Sequence, residues 1–282
     1  MKLISPRRLS LTTPLTDSGQ KMSDPFASRM RSYPTQEPSS ASPDWRRRPL
    51  SIVTPLHYTP SYDYPLVVWL HHRGHNELQV EQVLPHVSVR NYVGVGVRGT
   101  QATDVRGWGF DWSEGASSIA AAREAVIEAI EHAQAELSIH SDRILIAGYG
   151  SGATMACRIA LMEPERFGGV AMMGGQFPSS QSVMREYHRL RERRLPILWQ
   201  QAINGVDDCP DQLKRGILAA ESIRARVEIR QYRGDDVMNA VALRDIDQWC
   251  FDTIVQPRTK STAENSTVRP TEGLSPIDFS AN

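Results

Sequence analysis

Cysteine is scarce in this chain of 282 residues. Its three cysteines, Cys157, Cys209 and Cys250, are too few and too apolar in setting for a disulfide framework, and they fit a reducing compartment. Excess charge is also absent. Lys and Arg total 32 against 32 for Asp and Glu, which removes the bulk electrostatic argument for nucleic acid or an acidic partner. No apolar run approaches the roughly 20 residues of a membrane-spanning helix. The opening residues, MKLISPRRLSLTTPLTDSG, are basic but contain no apolar segment of signal-peptide length. A soluble cytoplasmic protein is therefore expected, with no membrane span and no nucleic-acid partner. Nucleotide signatures are missing too. G-x-x-x-x-G-K-[ST] does not occur, and GYGSGA at 148–153 only spaces glycines at alternate positions. No cofactor is expected.

What is present divides into three zones. Residues 1–48 read as a flexible leader, and residues 257–282, rich in Ser, Thr and Pro, as a disordered polar tail. Between them, residues 49–256 alternate short apolar runs with helical periods. Strand candidates are 50–56, 65–70, 92–97, 143–148, 168–174, 196–200 and 227–232. Helices are expected from near Asn76 and over 116–137, 150–162, 211–225 and 239–254. Such alternation predicts a three-layer α/β fold, a mostly parallel sheet with helices on both faces. Working loops then lie at the carboxyl ends of the strands, where His71, Arg98, Gly148, Gly174 and Gln201 fall.

Four stretches combine into a resemblance. They are PLHYTPSYDYPLVVWLHHRGHNE, VRGT at 97–100, ILIAGYGSGATMACRIAL, and YRGDDVM ahead of the last helix. In order and spacing the chain resembles the phospholipase/carboxylesterase branch of the α/β-hydrolase superfamily. The resemblance implies an α/β-hydrolase fold and a serine esterase using Ser, Asp and His in that chain order. In the nucleophile motif G-x-S-x-G the outer positions must be small, because strand and helix backbones approach closely there. Framing it on Gly148 and Gly152 puts Gly150 at the apex. Framing it on Ser151 makes Tyr149 an outer position, which crowds the turn. In the first frame the nucleophile position carries no side chain, and Ser151 opens the following helix. Glycine adopts the strained apex conformation without the 1–3 kcal/mol cost borne by a residue with a Cβ, on an order-of-magnitude scale.

The other functional positions depart as well. The resemblance places the catalytic histidine at Asp236, and no histidine follows His188. A carboxylate does not replace the neutral imidazole that takes and returns a hydroxyl proton. The acid position falls on Asp207, Asp208 or Gly205, depending on a short insertion. The usual HG-x-G of the oxyanion loop reads HHRG, with His72 at the first glycine. His71, His72, His75 and Glu77 have ligand chemistry, but adjacent His71 and His72 point differently on extended backbone, so no metal is expected. A pocket is expected around His71, His72, Arg73, His75, Ser151 and Trp108. These residues predict a catalytically inactive or strongly impaired esterase homologue that retains the scaffold and binds an unidentified small molecule or protein. The alternative is an atypical carboxylic-ester hydrolase using Ser151 or a carboxylate-activated water.

Overall fold

A computed structural model of the chain describes residues 49–178, 186–203, 210–234 and 236–256. The leader 1–48, the tail 257–282, and Gly205, Asp207, Asp208 and Cys209 lie outside the described residues. Among the described residues, nine strands run in the order β1 (Leu50–Val53), β2 (Tyr64–Leu70), β3 (Val93–Val97), β4 (Gln101–Ala102), β5 (Phe110–Asp111), β6 (Ile139–Tyr149), β7 (Gly169–Met173), β8 (Pro196–Ala202) and β9 (Arg226–Tyr232). The α-helices among the described residues are α1 (Gln79–Val87), α2 (Ala116–Glu136), α3 (Ser151–Met162), α4 (Tyr187–Arg193), α5 (Pro210–Ser222) and α6 (Ala240–Cys250). A π-helical turn, Phe251–Val255, extends α6.

Seven strands form one sheet in the order β1-β3-β2-β6-β7-β8-β9. Only β1 is antiparallel, paired with β3. β2 shows why the sheet needs helices on both faces, since every residue from Tyr64 to Leu70 is buried. Leu66, Val68 and Leu70 enter one core with Val126 and Ile130 of α2 and Ile159 of α3. Val67 and Trp69 enter the other, with Val80 and Leu84 of α1 and Leu243, Ile246 and Trp249 of α6. The period of two along the strand thus divides one apolar run between two helical layers. This is the expected three-layer, mostly parallel architecture.

The boundaries differ from the sequence reading where local hydrogen bonds intervene. The Asn76 side chain accepts from Leu78 N (3.0 Å), so a turn precedes α1 and the helix starts at Gln79. At its far end α5 stops at Ser222, because Arg224 takes a left-handed conformation (φ 56°) and turns the chain into β9. The Asn239 side chain caps α6, accepting from Val241 N and Ala242 N. Two elements had no strong pattern of their own: the short ribbon β4–β5 and the helix α4. Among the described residues no helix is long and apolar enough to cross a membrane.

Central and edge strands differ in what they tolerate. Ile146 of β6 is fully buried, whereas Ile229 of edge strand β9 is 36% exposed. Ile146→Ala is expected to cost about 2–5 kcal/mol and Ile229→Ala well under that range. Urea unfolding of the two variants checks the difference.

Candidate functional site

The carboxyl ends of β2, β6 and β7 converge on the turn between β6 and α3. Gly150 alone forms that turn, with φ 56° and ψ −118°, and its N–H donates to Met173 O of β7 (2.9 Å). The flanking glycines are fixed by backbone contact. A Cβ on Gly152 would stand 2.2 Å from Leu70 O, and one on Gly148 would stand 2.6 Å from the Gly152 carbonyl carbon. Strand and helix therefore touch through bare backbone at 148 and 152, while 150 turns the corner.

The space above Gly150 belongs to His72. A Cβ at position 150 would lie 2.2 Å from His72 Nδ1 and 2.7 Å from Cε1. The imidazole lies against Tyr149, with ring centroids 4.6 Å apart. The Tyr149 hydroxyl donates to Asp236 Oδ1 (2.8 Å), and the same oxygen accepts from Met238 N (2.9 Å). His72, Tyr149 and Asp236 form a continuous chain of contacts from the turn to the loop ahead of α6. Ser151 is the first residue of α3. Its hydroxyl oxygen is buried and, among the described residues, has no hydrogen-bond partner, imidazole nitrogens included.

The HHRG loop is held from below. Gln79 Oε1 accepts from Trp69 Nε1 (3.0 Å) and from His72 N (3.2 Å). Buried His71 is fully engaged, with Nδ1–H donating to His72 O (2.8 Å) and Nε2 accepting from Gly99 N (2.8 Å). That pair of bonds fixes the neutral imidazole, and burial lowers its pKa to about 4, against a smaller raising effect of the His72 carbonyl. Burial, then the neighbouring His72, also lowers His75. Glu77 is ion-paired through both oxygens with Arg98, whose guanidinium lies 4.7 Å over the Phe110 ring. Among the described residues no three His, Cys, Asp or Glu side chains are grouped to hold a metal.

A cavity of about 270 Å³ opens beside the turn. His72, Gly150 and Ser151 border it, together with Trp112, Glu114, Thr154, Met155, Arg158, Gly175 and Gln176. Of the expected pocket residues, His72 and Ser151 meet here. His71 is buried beneath the loop, its carbonyl bonded by Trp112 Nε1 (2.8 Å). Arg73 pairs with Asp111 at the surface (3.5 Å), His75 bridges to Phe110, and Trp108 is 73% exposed. Those three do not border the cavity. Sequence reasoning missed Thr154 and Arg158, although the helical period signals them. Ser151, Thr154, Met155 and Arg158 fall at i, i+3, i+4 and i+7 on one face of α3.

The fold and the turn define the class: a three-layer α/β hydrolase scaffold with a strand–glycine corner–helix at its centre. A profile of the phospholipase/carboxylesterase family matches residues 74–231, more than half of the sequence. The chain belongs to the phospholipase/carboxylesterase family. No curated protein sequence matches it. Among solved structures, a Bacillus cereus carboxylesterase is similar with a TM-score of 0.55 at 15% identity, over 72% of this chain and 93% of that one. Zea mays acyl-protein thioesterase 2 is similar with a TM-score of 0.56 at 16% identity, over 73% and 99%. Both likenesses are of fold.

Two outcomes test this geometry. Gly150→Ser is expected to cost about 1–3 kcal/mol, since it adds a Cβ at positive φ and displaces His72. Adding His72→Ala should recover part of that loss, and unfolding of the single and double variants reads the coupling. For His71, the unfolded imidazole takes its proton near pH 6.5 and the folded one only near pH 4. Its contribution is therefore full above pH 6.5 and lost as pH falls toward 4, about 3 kcal/mol across the window at roughly 1.36 kcal/mol per unit. Urea midpoints between pH 7.5 and 4.5 should fall less steeply in His71→Gln than in the native protein.

Proposed function

We propose that this phospholipase/carboxylesterase-family chain does not carry out serine ester hydrolysis and uses the retained cleft to bind a ligand or protein partner. One observation carries the reading: the apex of the turn is Gly150, and His72 Nδ1 stands 2.2 Å from where a nucleophile's Cβ would begin. Asp236, at the histidine position implied by the resemblance, is engaged by the Tyr149 hydroxyl and Met238 N. A Ser-His-Asp site acts as a unit, so absence of nucleophile and base together removes the covalent route. The buried free thiols of Cys157 and Cys250 accord with a cytoplasmic setting.

A second reading is favoured by one feature. Ser151 Oγ and His72 Nδ1 are both buried without partners among the described residues, and both residues border the same cavity. An atypical ester hydrolase would activate Ser151, or a water held by Asp236. Against it, Ser151 is the first helical residue rather than the apex, and no base contacts its hydroxyl among the described residues.

Hydrolysis of p-nitrophenyl butyrate and of a short acyl thioester by the purified full chain separates the readings. Turnover no faster than buffer is expected, unchanged in Ser151→Ala and Asp236→Asn. Turnover that disappears in either variant overturns the proposal.

A further inference from the structure

We infer that the cavity beside the β6–α3 turn binds a small organic carboxylate, with Arg158 as its ionic anchor. Three buried polar atoms that have no hydrogen-bond partner among the described residues, His72 Nδ1, Ser151 Oγ and Arg158 Nε, belong to residues bordering this one cavity. Polar atoms left unpaired away from water are uncommon and costly, and the one with charge behind it is Arg158 Nε, on a guanidinium that Glu114 covers and would uncover on moving outward.

Their chemistry selects the ligand. The Arg158 side chain is only 8% exposed, so its charge is held largely out of water. Its counter-ion is Glu114, joined to Nη2 at 3.2 Å, and the Glu114 side chain is itself 76% exposed. A buried guanidinium is thus neutralised by a carboxylate reaching in from solvent, through one nitrogen, while Nε on the same edge stays empty. A planar carboxylate matches both nitrogens of that edge. Upstream on the same face, α3 starts with no side-chain cap among the described residues and no acidic residue in its first turn, so its positive end favours an anion. Guanidinium edge, helix end and Ser151 hydroxyl all suit an acceptor with negative charge. Glu114 occupies this site as an internal surrogate, and a ligand carboxylate takes its place while Glu114 swings outward.

The rest of the ligand has room alongside. A second cavity of about 450 Å³ shares Glu114, Thr154, Arg158 and Gln176 with the first and adds Phe177, Pro178, Gln212, Arg215, Gly216 and Ala219. A short chain therefore extends from Arg158 along the side formed by Phe177, Pro178 and Ala219, with Gln212 and Arg215 on the other side. The carboxylate site builds on the reading of the cleft as a binding site, but its test is separate. Ester turnover dependent on Ser151 would overturn that reading and leave carboxylate binding standing; absence of both would remove the carboxylate site alone.

Titration calorimetry of the full chain with sodium hexanoate, its neutral isostere hexanamide, and inorganic phosphate provides the test. Hexanoate should bind at least tenfold more tightly than hexanamide, and phosphate should not compete with it. Glu114→Gln, at an exposed side chain, should tighten hexanoate at least threefold because the competing carboxylate is gone. Arg158→Lys keeps the charge but loses the fork and should weaken it at least tenfold. Five results each overturn the inference: equal binding of hexanamide, phosphate displacing hexanoate, unchanged or weaker binding in Glu114→Gln, unchanged binding in a folded Arg158→Lys, or no binding in native and Glu114→Gln proteins alike. If Arg158→Lys fails to fold, Glu114→Gln still decides.

Discussion

Between the end of β2 and the start of α3, backbone packs on backbone with no side chain between. Gly152 lies against the carbonyls of Leu70 and His71, and Gly148 lies against Gly152 and Leu70. This contact sets where β6 must end and where α3 must begin. It lets the small-residue helix face of Ala153, Ala156 and Ala160 enter the core beneath the sheet. It also fixes the length of the turn, leaving a single residue to reverse the chain. Everything around the cavity, from the HHRG loop to the Arg158 side chain, is positioned from that corner.

The positions at which the proposed reading departs from a serine esterase are physically connected. Histidine at 72 and glycine at 150 share one volume: the imidazole occupies the space that a side chain at 150 would need. Tyr149 lies against that imidazole and sends its hydroxyl to Asp236. On the proposed reading, the nucleophile and histidine positions are therefore linked by a different set of contacts, one that holds the loops together and leaves no proton path to an attacking oxygen. The glycine also avoids the strain that a nucleophile bears at positive φ.

Much of this was legible in the sequence. Apolar runs such as PLVVWL and RILIAG, separated by long helical periods, announced the layered sheet. The spacing of Gly148, Gly150 and Gly152 announced the tight corner. Other features depended on tertiary context. The ribbon β4–β5 spans so few residues that no period could reveal it, and α4 lies in a charged stretch where only Leu190 is deeply buried. His71 and His72 are neighbours in sequence with opposite surroundings: one is enclosed by Gly99 and Trp112, the other stands over the turn. Extended backbone predicts that they diverge, but it does not say which reaches the cavity. Arg158 was missed because its helical spacing from Ser151 places it on one face of α3 but does not say that a cavity lies along that face.

The central claim is that the corner of this hydrolase scaffold presents no activated serine. Exposure of the full chain to a fluorophosphonate, which forms a stable adduct with activated serine hydroxyls, followed by intact mass measurement, examines that claim without a choice of substrate. The account predicts an unchanged mass under conditions that fully label a serine esterase. A stoichiometric adduct mapped to Ser151 would contradict it.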